Sequence, residues 1–220
     1  LLGTLKTPVN SRLPLKEVEV RDDLPENFDL REAYPECESI KEVRDQSSCG
    51  SCWAFATVEA ISDRICIASG QKLQTRVSSD NLLSCCKTCG FGCNGGWPSA
   101  AWEHFKKTGL VTGGNYGDKS TCRPYQFQPC DHHVQGHYQP CSGDFSTPKC
   151  EKTCVNGANY KEDLWYGESA YGVPSDEKAI MTEIYNHGSV GAAFTVYEDW
   201  VNYKSGVYVH LKGKALGGHA

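Results

Sequence analysis

Cys49 and Cys52 stand three residues apart in Gln46-Ser47-Ser48-Cys49-Gly50-Ser51-Cys52-Trp53, and a run without Gly or Pro, Ala54–Ala68, follows the second. Trp53, Phe55, Val58, Ile61, Ile65 and Ile67 recur here, with Glu59, Asp63 and Arg64 among them. This is the pattern of a largely buried helix beginning near Ser51 or Cys52. A cysteine there lies beside unpaired backbone N–H groups and the positive end of the helix dipole. Both favour thiolate over thiol, so Cys52 is expected to be acidic and nucleophilic. Residue types alone leave three readings open: two structural cysteines, a Cys-x-x-Cys redox pair, or a nucleophile at Cys52 with Cys49 in a disulfide.

The elements that must hold this stretch are bounded by length and composition. A chain of 220 residues can bury a sizeable core, as one domain or two packed lobes. Net charge is 22 − 27 = −5 with no basic run, which points away from nucleic acid and anionic membranes. No apolar stretch has the roughly eighteen residues of a membrane span. Leu1–Asp23 lacks the apolar centre of a signal peptide, so any targeting sequence is expected upstream. Thirteen cysteines indicate an oxidising compartment, secretory or endolysosomal. If twelve pair, one thiol is left over, and a nucleophile would account for it.

Leu1–Asp23 is irregular, with Pro8, Pro14 and scattered charge. Pro98 opens a helix with Ala101, Trp102 and Phe105 on one face, and Gly109 stops it. Cys122–Cys154 holds five cysteines and four prolines and reads as a stapled loop region. Ser175 is expected to cap a further helix with Asp176 and Glu177 in its first turn and Ile180, Met181 and Ile184 on one face; Gly188 ends it. Val190–Val196 and Gly206–His210 read as strands. Helices thus lead and strands follow, an α+β class.

Cys49-Gly50-Ser51-Cys52-Trp53 is similar to the local signature of papain-like cysteine peptidases. From Leu24 onward the chain resembles the cathepsin B group of that family. The resemblance is carried by Leu24-Pro25-Glu26-Asn27-Phe28-Asp29, Ile40–Gln46, Val58–Ile67, Gly92-Cys93-Asn94-Gly95-Gly96-Trp97-Pro98 and Gly217-Gly218-His219-Ala220. It implies a papain-like two-lobe fold, a helical lobe and a sheet lobe with the cleft between. It further implies that residues 1–23 are the end of a pro-segment that blocks the cleft, that residues 24–220 are the peptidase domain, and that the Asn orienting His219 and further strands follow Ala220. On that basis the 220-residue chain itself is expected to turn over little. His219 lies 219 − 52 = 167 residues after Cys52, more than the roughly 130–150 common in papain relatives, and Cys122–Cys154 is the candidate insertion.

The resemblance assigns the nucleophile to Cys52, the general acid and base to His219, and oxyanion donors to the Gln46 amide and the Cys52 N–H. Gly50, Gly95 and Gly96 would let a substrate backbone approach closely, with Ala220 beside the site and Trp97 and Ala193 in the S2 pocket. Residues 122–154 would carry an occluding loop whose His132 and His133 face a substrate's C-terminal carboxylate. His132 would be clasped by Asp45, a pair that needs the His charged and so favours closure in acid. Tyr138 stands where the family's second clasp has an Arg, so the loop is expected to be loosely held. The implied disulfides are Cys37–Cys66, Cys49–Cys93, Cys85–Cys150, Cys86–Cys89, Cys122–Cys154 and Cys130–Cys141, the Cys86–Cys89 spacing being one residue shorter than usual. Adjacent His132-His133, or Cys85, Cys86, Cys89 and Cys93, could hold zinc, but disulfides use these cysteines better in an oxidising compartment; no metal or cofactor is expected. His104, His187 and His210 are taken as structural. Peptide and protein substrates, the chain's own pro-segment and cystatin-type inhibitors are the implied partners. The function implied is a lysosomal or secreted peptidase that cleaves internally and releases C-terminal dipeptides; the alternative is an inactive, disulfide-rich binding relative.

Overall fold

A computed structural model describes residues 2–132 and 135–220. Its helices are α1 (Leu30–Ala33), α2 (Cys52–Ala68), α3 (Ser79–Cys85), α4 (Pro98–Lys107) and α5 (Glu177–His187); two strands, β1 (Phe194–Tyr197) and β2 (Ala215–His219), follow. None of the described helices is long and apolar enough to cross a membrane.

The centre is α2, which packs against α3, α4 and α5. Trp53, Phe55, Val58 and Ile61 lie in one cluster with Leu82, Leu83, Phe105, Leu110 and Tyr125. Each such side chain contributes about 1.5–3 kcal/mol when buried. Trp53 is fully buried and its Nε1 donates to the Gly92 carbonyl at 3.1 Å. That bond fixes the first turn of α2 against the 92–96 segment. Pro98 sits in the first turn of α4, and Gly109 beyond its end takes φ +79°, a conformation that suits glycine. The short α3 escaped the sequence reading. Its cap, the Ser78 hydroxyl accepting from the Asn81 N–H at 2.9 Å, with Asp80 in the first turn, is a start signal that could have found it.

Two expectations are corrected. The cap of α5 is Asp176 rather than Ser175, because the Asp176 carboxylate reaches the Ala179 N–H at 2.9 Å. Gly206–His210 is not a strand. The Asp199 carboxylate draws in the Tyr208 hydroxyl and the Leu211 and Lys212 N–H groups, the last two at 2.8 and 3.1 Å, and folds this stretch into a loop. The partner of β1 is β2 instead, antiparallel with Phe194 opposite His219 and Val196 opposite Gly217. The first part of the expected Val190–Val196 strand is irregular.

Disulfides join Cys37–Cys66, Cys49–Cys93, Cys85–Cys150, Cys86–Cys89, Cys122–Cys154 and Cys130–Cys141. Cys52 is the free thiol. The described residues of 122–154 form neither helix nor strand. The N-terminal stretch runs over the surface as a strap. It pairs with the body at Thr4–Gly96 and Leu15–Gly172, both in parallel sense. Lys16 then meets the Glu183 carboxylate at 3.6 Å and His187 Nε2 at 3.4 Å on α5.

Candidate active site

Cys52 is the first residue of α2, so its sulfur lies at the dipole's positive end. It is 1% exposed. Burial pushes its pKa up, but hydrogen bonding with His219 and Thr4, the charge on His219 and the Ala220 N–H together outweigh that. The thiol is held at about 7, against an ordinary 9.0. His219 comes from the other side of the cleft, on β2, with its ring edge-on to Phe194 at 5.7 Å. The Nδ1 of His219 is buried without a well-aligned partner among the described residues. Such contacts are often loose before a substrate is in place. Gln46, six residues before Cys52, donates its side-chain amide to the Cys49 carbonyl at 2.8 Å, and its own carbonyl accepts from the Tyr125 hydroxyl at 2.8 Å. Cys52, His219, Gln46 and Ala220 border one cavity of 420 Å³, together with Arg44, Glu59 and Asp63.

The strap fills the cleft over this thiol. The Thr4 hydroxyl and Cys52 sulfur are 3.2 Å apart. The Gly96 N–H donates to the Gly3 carbonyl at 2.8 Å and the Leu5 N–H to the Gly96 carbonyl at 2.9 Å, while the Thr4 N–H reaches the Gly218 carbonyl at 3.1 Å. The strap is therefore hydrogen-bonded on both sides. Glycines make this approach possible: a Cβ on Gly3 would lie 1.9 Å from the Gly50 carbonyl oxygen, and one on Gly95 2.9 Å from the Gly3 oxygen.

Asp45 and His132 come together at 3.4 Å, each side chain about a third exposed, at 33% and 32%. His133 lies outside the described residues. A cavity of 1450 Å³ is bordered by Asp131, His132 and Tyr138 on one side and Trp200, Leu216 and His219 on the other. Trp97 and Ala193 are not seen together: Trp97 borders a separate cavity of 670 Å³ beside the strap, and Ala193 is exposed just before β1. A further residue escaped notice in the sequence. The Asp131 carboxylate accepts from the Gly136 and Tyr138 N–H groups at 2.7 and 3.2 Å, tying the loop internally. An Asp just after a cysteine that closes a loop is the signal that was available.

The matching family model is that of papain family cysteine proteases, over residues 24–220, and the chain belongs to that family. Within it, the chain is 58% identical over 203 residues to cathepsin B-like cysteine proteinase 6 of Caenorhabditis elegans, covering 90% of this chain and 54% of the relative. It is 46% identical to a cathepsin B-like cysteine proteinase of Schistosoma japonicum, covering 96% of this chain and 63% of that one. The solved structure of procathepsin B S9 from Trypanosoma congolense superposes with a TM-score of 0.80 at 37% identity, covering all of this chain and 68% of that one. The fold is papain-like. The chain thus spans between about half and two thirds of the length of these curated relatives.

Proposed function

We propose that the protein is a thiol peptidase of the cathepsin B type in which Cys52 is the nucleophile, His219 the proton carrier and Gln46 an oxyanion donor. The observation that supports this most is the Cys52 thiol held near 7 beside His219, at a helix N-terminus, in a cleft that holds an extended peptide. The thiolate attacks the scissile carbonyl, and the oxyanion is met by the Gln46 amide and the Cys52 N–H. His219 gives its proton to the leaving amine as the C–N bond breaks. It then takes one from the water that cleaves the thioester.

The strap is the occupant of that cleft, and residues 1–23 act as an inhibitory pro-segment. Thr4 pairs with Gly96 in parallel sense, and it presents its hydroxyl, not a carbonyl, at 3.2 Å from the sulfur. With residues 1–23 removed, residues 24–220 form the peptidase body, and Gly50, Gly95, Gly96 and Gly218 are free to pair with peptide substrates. His132 borders the same cavity as His219, which supports carboxylate capture and dipeptide release from C-termini beside internal cleavage. A charged His132 offers a strong donor to a carboxylate. Six disulfides suit a secreted or lysosomal enzyme, one that cystatin-type inhibitors could also meet.

The test uses an extended chain as long as its relatives, freed of Leu1–Asp23. Internally quenched peptides and peptides with a free C-terminal dipeptide should both be cleaved. A peptide of the Leu1–Asp23 sequence should inhibit. Cys52→Ala and His219→Ala should each lower kcat/KM by on the order of a thousandfold or more. His219→Ala should also move the midpoint of Cys52 alkylation upward, because His219 is a cause that lowers it. Turnover that survives Cys52→Ala would sink the assignment.

A further inference from the structure

The Cys86–Cys89 bridge encloses only Lys87 and Thr88. Its sequence separation is 3, whereas the other five bridges span 11 to 65. Stabilisation by a cross-link grows with the loop it closes, so this bridge loses least when opened. His104, on α4, stands against it: a ring nitrogen and both sulfurs lie within 4.8 Å of one another. Among the described residues no hydrogen bond or ion pair engages the His104 ring. The ring borders two cavities, one of 670 Å³ shared with Thr88 and the strap, and one of 620 Å³ shared with Cys85. These cavities reach the His104 side of the cluster, while the two cysteines are buried, at 5% and 0% exposed, and border neither.

We propose that, once its disulfide is opened, the Cys86–Cys89 pair with His104 binds a zinc-type divalent cation. Two thiolates and an imidazole are the donor set such a cation prefers, and two intervening residues are a usual ligand spacing. Metal–sulfur distances of ~2.3 Å and metal–nitrogen distances of ~2.0 Å put tetrahedral donors roughly 3.5–3.8 Å apart. Opening the bridge frees the two sulfurs to separate to that distance, the ring nitrogen already lies within 4.8 Å of both, and water takes the fourth position. Two similar clusters are weaker. His132 already meets Asp45, and Asp163 already accepts from the Thr112 N–H and hydroxyl.

The chemistry balances with a dithiol or a phosphine as the reductant. It supplies two electrons to the S–S bond, and two protons complete the thiols; the dithiol becomes a disulfide, or the phosphine an oxide with water as oxygen source. The cation then displaces both thiol protons. Occupancy bears on the cleft, because the Cys89 carbonyl accepts the Trp97 N–H at 2.7 Å and a Cβ on Gly96 would lie 2.6 Å from that same oxygen. The site backs directly onto the segment that holds the strap.

The test uses the full chain with Cys52→Ser, which removes the competing thiol beside His219. Phosphine is added until alkylation and mass mapping find Cys86 and Cys89 open with the other bridges intact, and Co²⁺ is titrated in. One cobalt per chain is expected, with intense thiolate-to-cobalt charge-transfer bands and the visible bands of tetrahedral geometry, all absent from the oxidised chain. His104→Asn, with an unchanged circular dichroism spectrum, should weaken cobalt binding by at least about tenfold. Independently of that variant, Zn²⁺ should protect Cys86 and Cys89 of the reduced chain from alkylation. Opening of another bridge first, a reduced chain without the tetrahedral signal, absence of zinc protection, or an affinity unmoved by His104→Asn would each overturn the proposal.

Discussion

The start of α2 and the 130–141 loop border the same cleft and are held in opposite ways. Around Cys52 the structure is closely buried: Trp53 is fully buried, Cys49 is bridged to Cys93, and glycine backbones lie against one another. The loop is largely exposed from Gln135 to Pro140 and is held by the Cys130–Cys141 bridge, the Asp131 carboxylate and the Asp45–His132 pair. Dense packing transmits small displacements, so the buried surroundings of Cys52 hold its sulfur in one place. A few polar ties at a wet surface can open and close, which is the requirement for an element that controls access.

If packing places the sulfur, removing its largest neighbour should be the most damaging change. Trp53→Ala empties a fully buried site and strands the Gly92 carbonyl. A loss of about 3–5 kcal/mol is expected by denaturant unfolding, with slower alkylation of Cys52 at pH 7. A loss below about 1 kcal/mol would mean that α2 is positioned by something else.

The same helix carries a half-buried acid. Burial is the main cause that raises Glu59 from 4.5 to about 7, with nearby Arg44 opposing and Asp63 and Glu42 adding to the rise. Its folded-state pKa exceeds the unfolded one, so the folded protein binds the proton more readily. Stability should be fullest below about 4.5 and decline as pH rises to about 7. The shift of about 2.5 units sets an upper value of about 3 kcal/mol, and about 1–3 kcal/mol is expected. Glu59→Gln should flatten this decline, measured by urea midpoints from pH 4 to 8. An unchanged slope would place the decline in other groups, among them Asp63 on the same helix, whose carboxyl burial also pushes up.

The two regions were also unequally readable in the sequence. The apolar recurrence in Ala54–Ala68 and the absence of Gly and Pro led directly to α2, because burial and helical period coincide there. The strand at Gly206–His210 was misread because Val207, Tyr208 and Val209 have strand propensity while the deciding group, the Asp199 carboxylate, lies outside the segment. The pairing of β1 with Ala215–His219 was missed for a related reason: Gly217 and Gly218 are poor strand formers, held there by partners distant in sequence. In the loop, Tyr138 was noticed as a missing cation, but Asp131 was not seen as a backbone acceptor. Local side-chain-to-backbone ties leave little trace in periodicity.

Those loop ties can be ranked by experiment in an extended, strap-free enzyme. Asp131→Ala leaves two N–H groups without their acceptor, each worth about 0.5–1.5 kcal/mol. It should raise internal cleavage relative to dipeptide release by roughly tenfold at every pH from 4 to 8, since neither donor titrates. The Asp45–His132 pair should matter less, and differently. Asp45 Oδ1 also accepts the Ser47 N–H at 2.6 Å, and Ser47 has φ +54°. The informative change is therefore Asp45→Asn, which keeps an acceptor for that turn while removing the charge. The pair is partly exposed, so a contribution of about 0.5–1 kcal/mol is expected, equivalent to a roughly two- to fivefold rise in internal cleavage. His132→Ala should reproduce that rise, and the double variant should add nothing to it. An Asp45→Asn effect that persists in full on a His132→Ala background would show that Asp45 acts through the Ser47 turn, leaving Asp131 and the Cys130–Cys141 bridge to hold the loop.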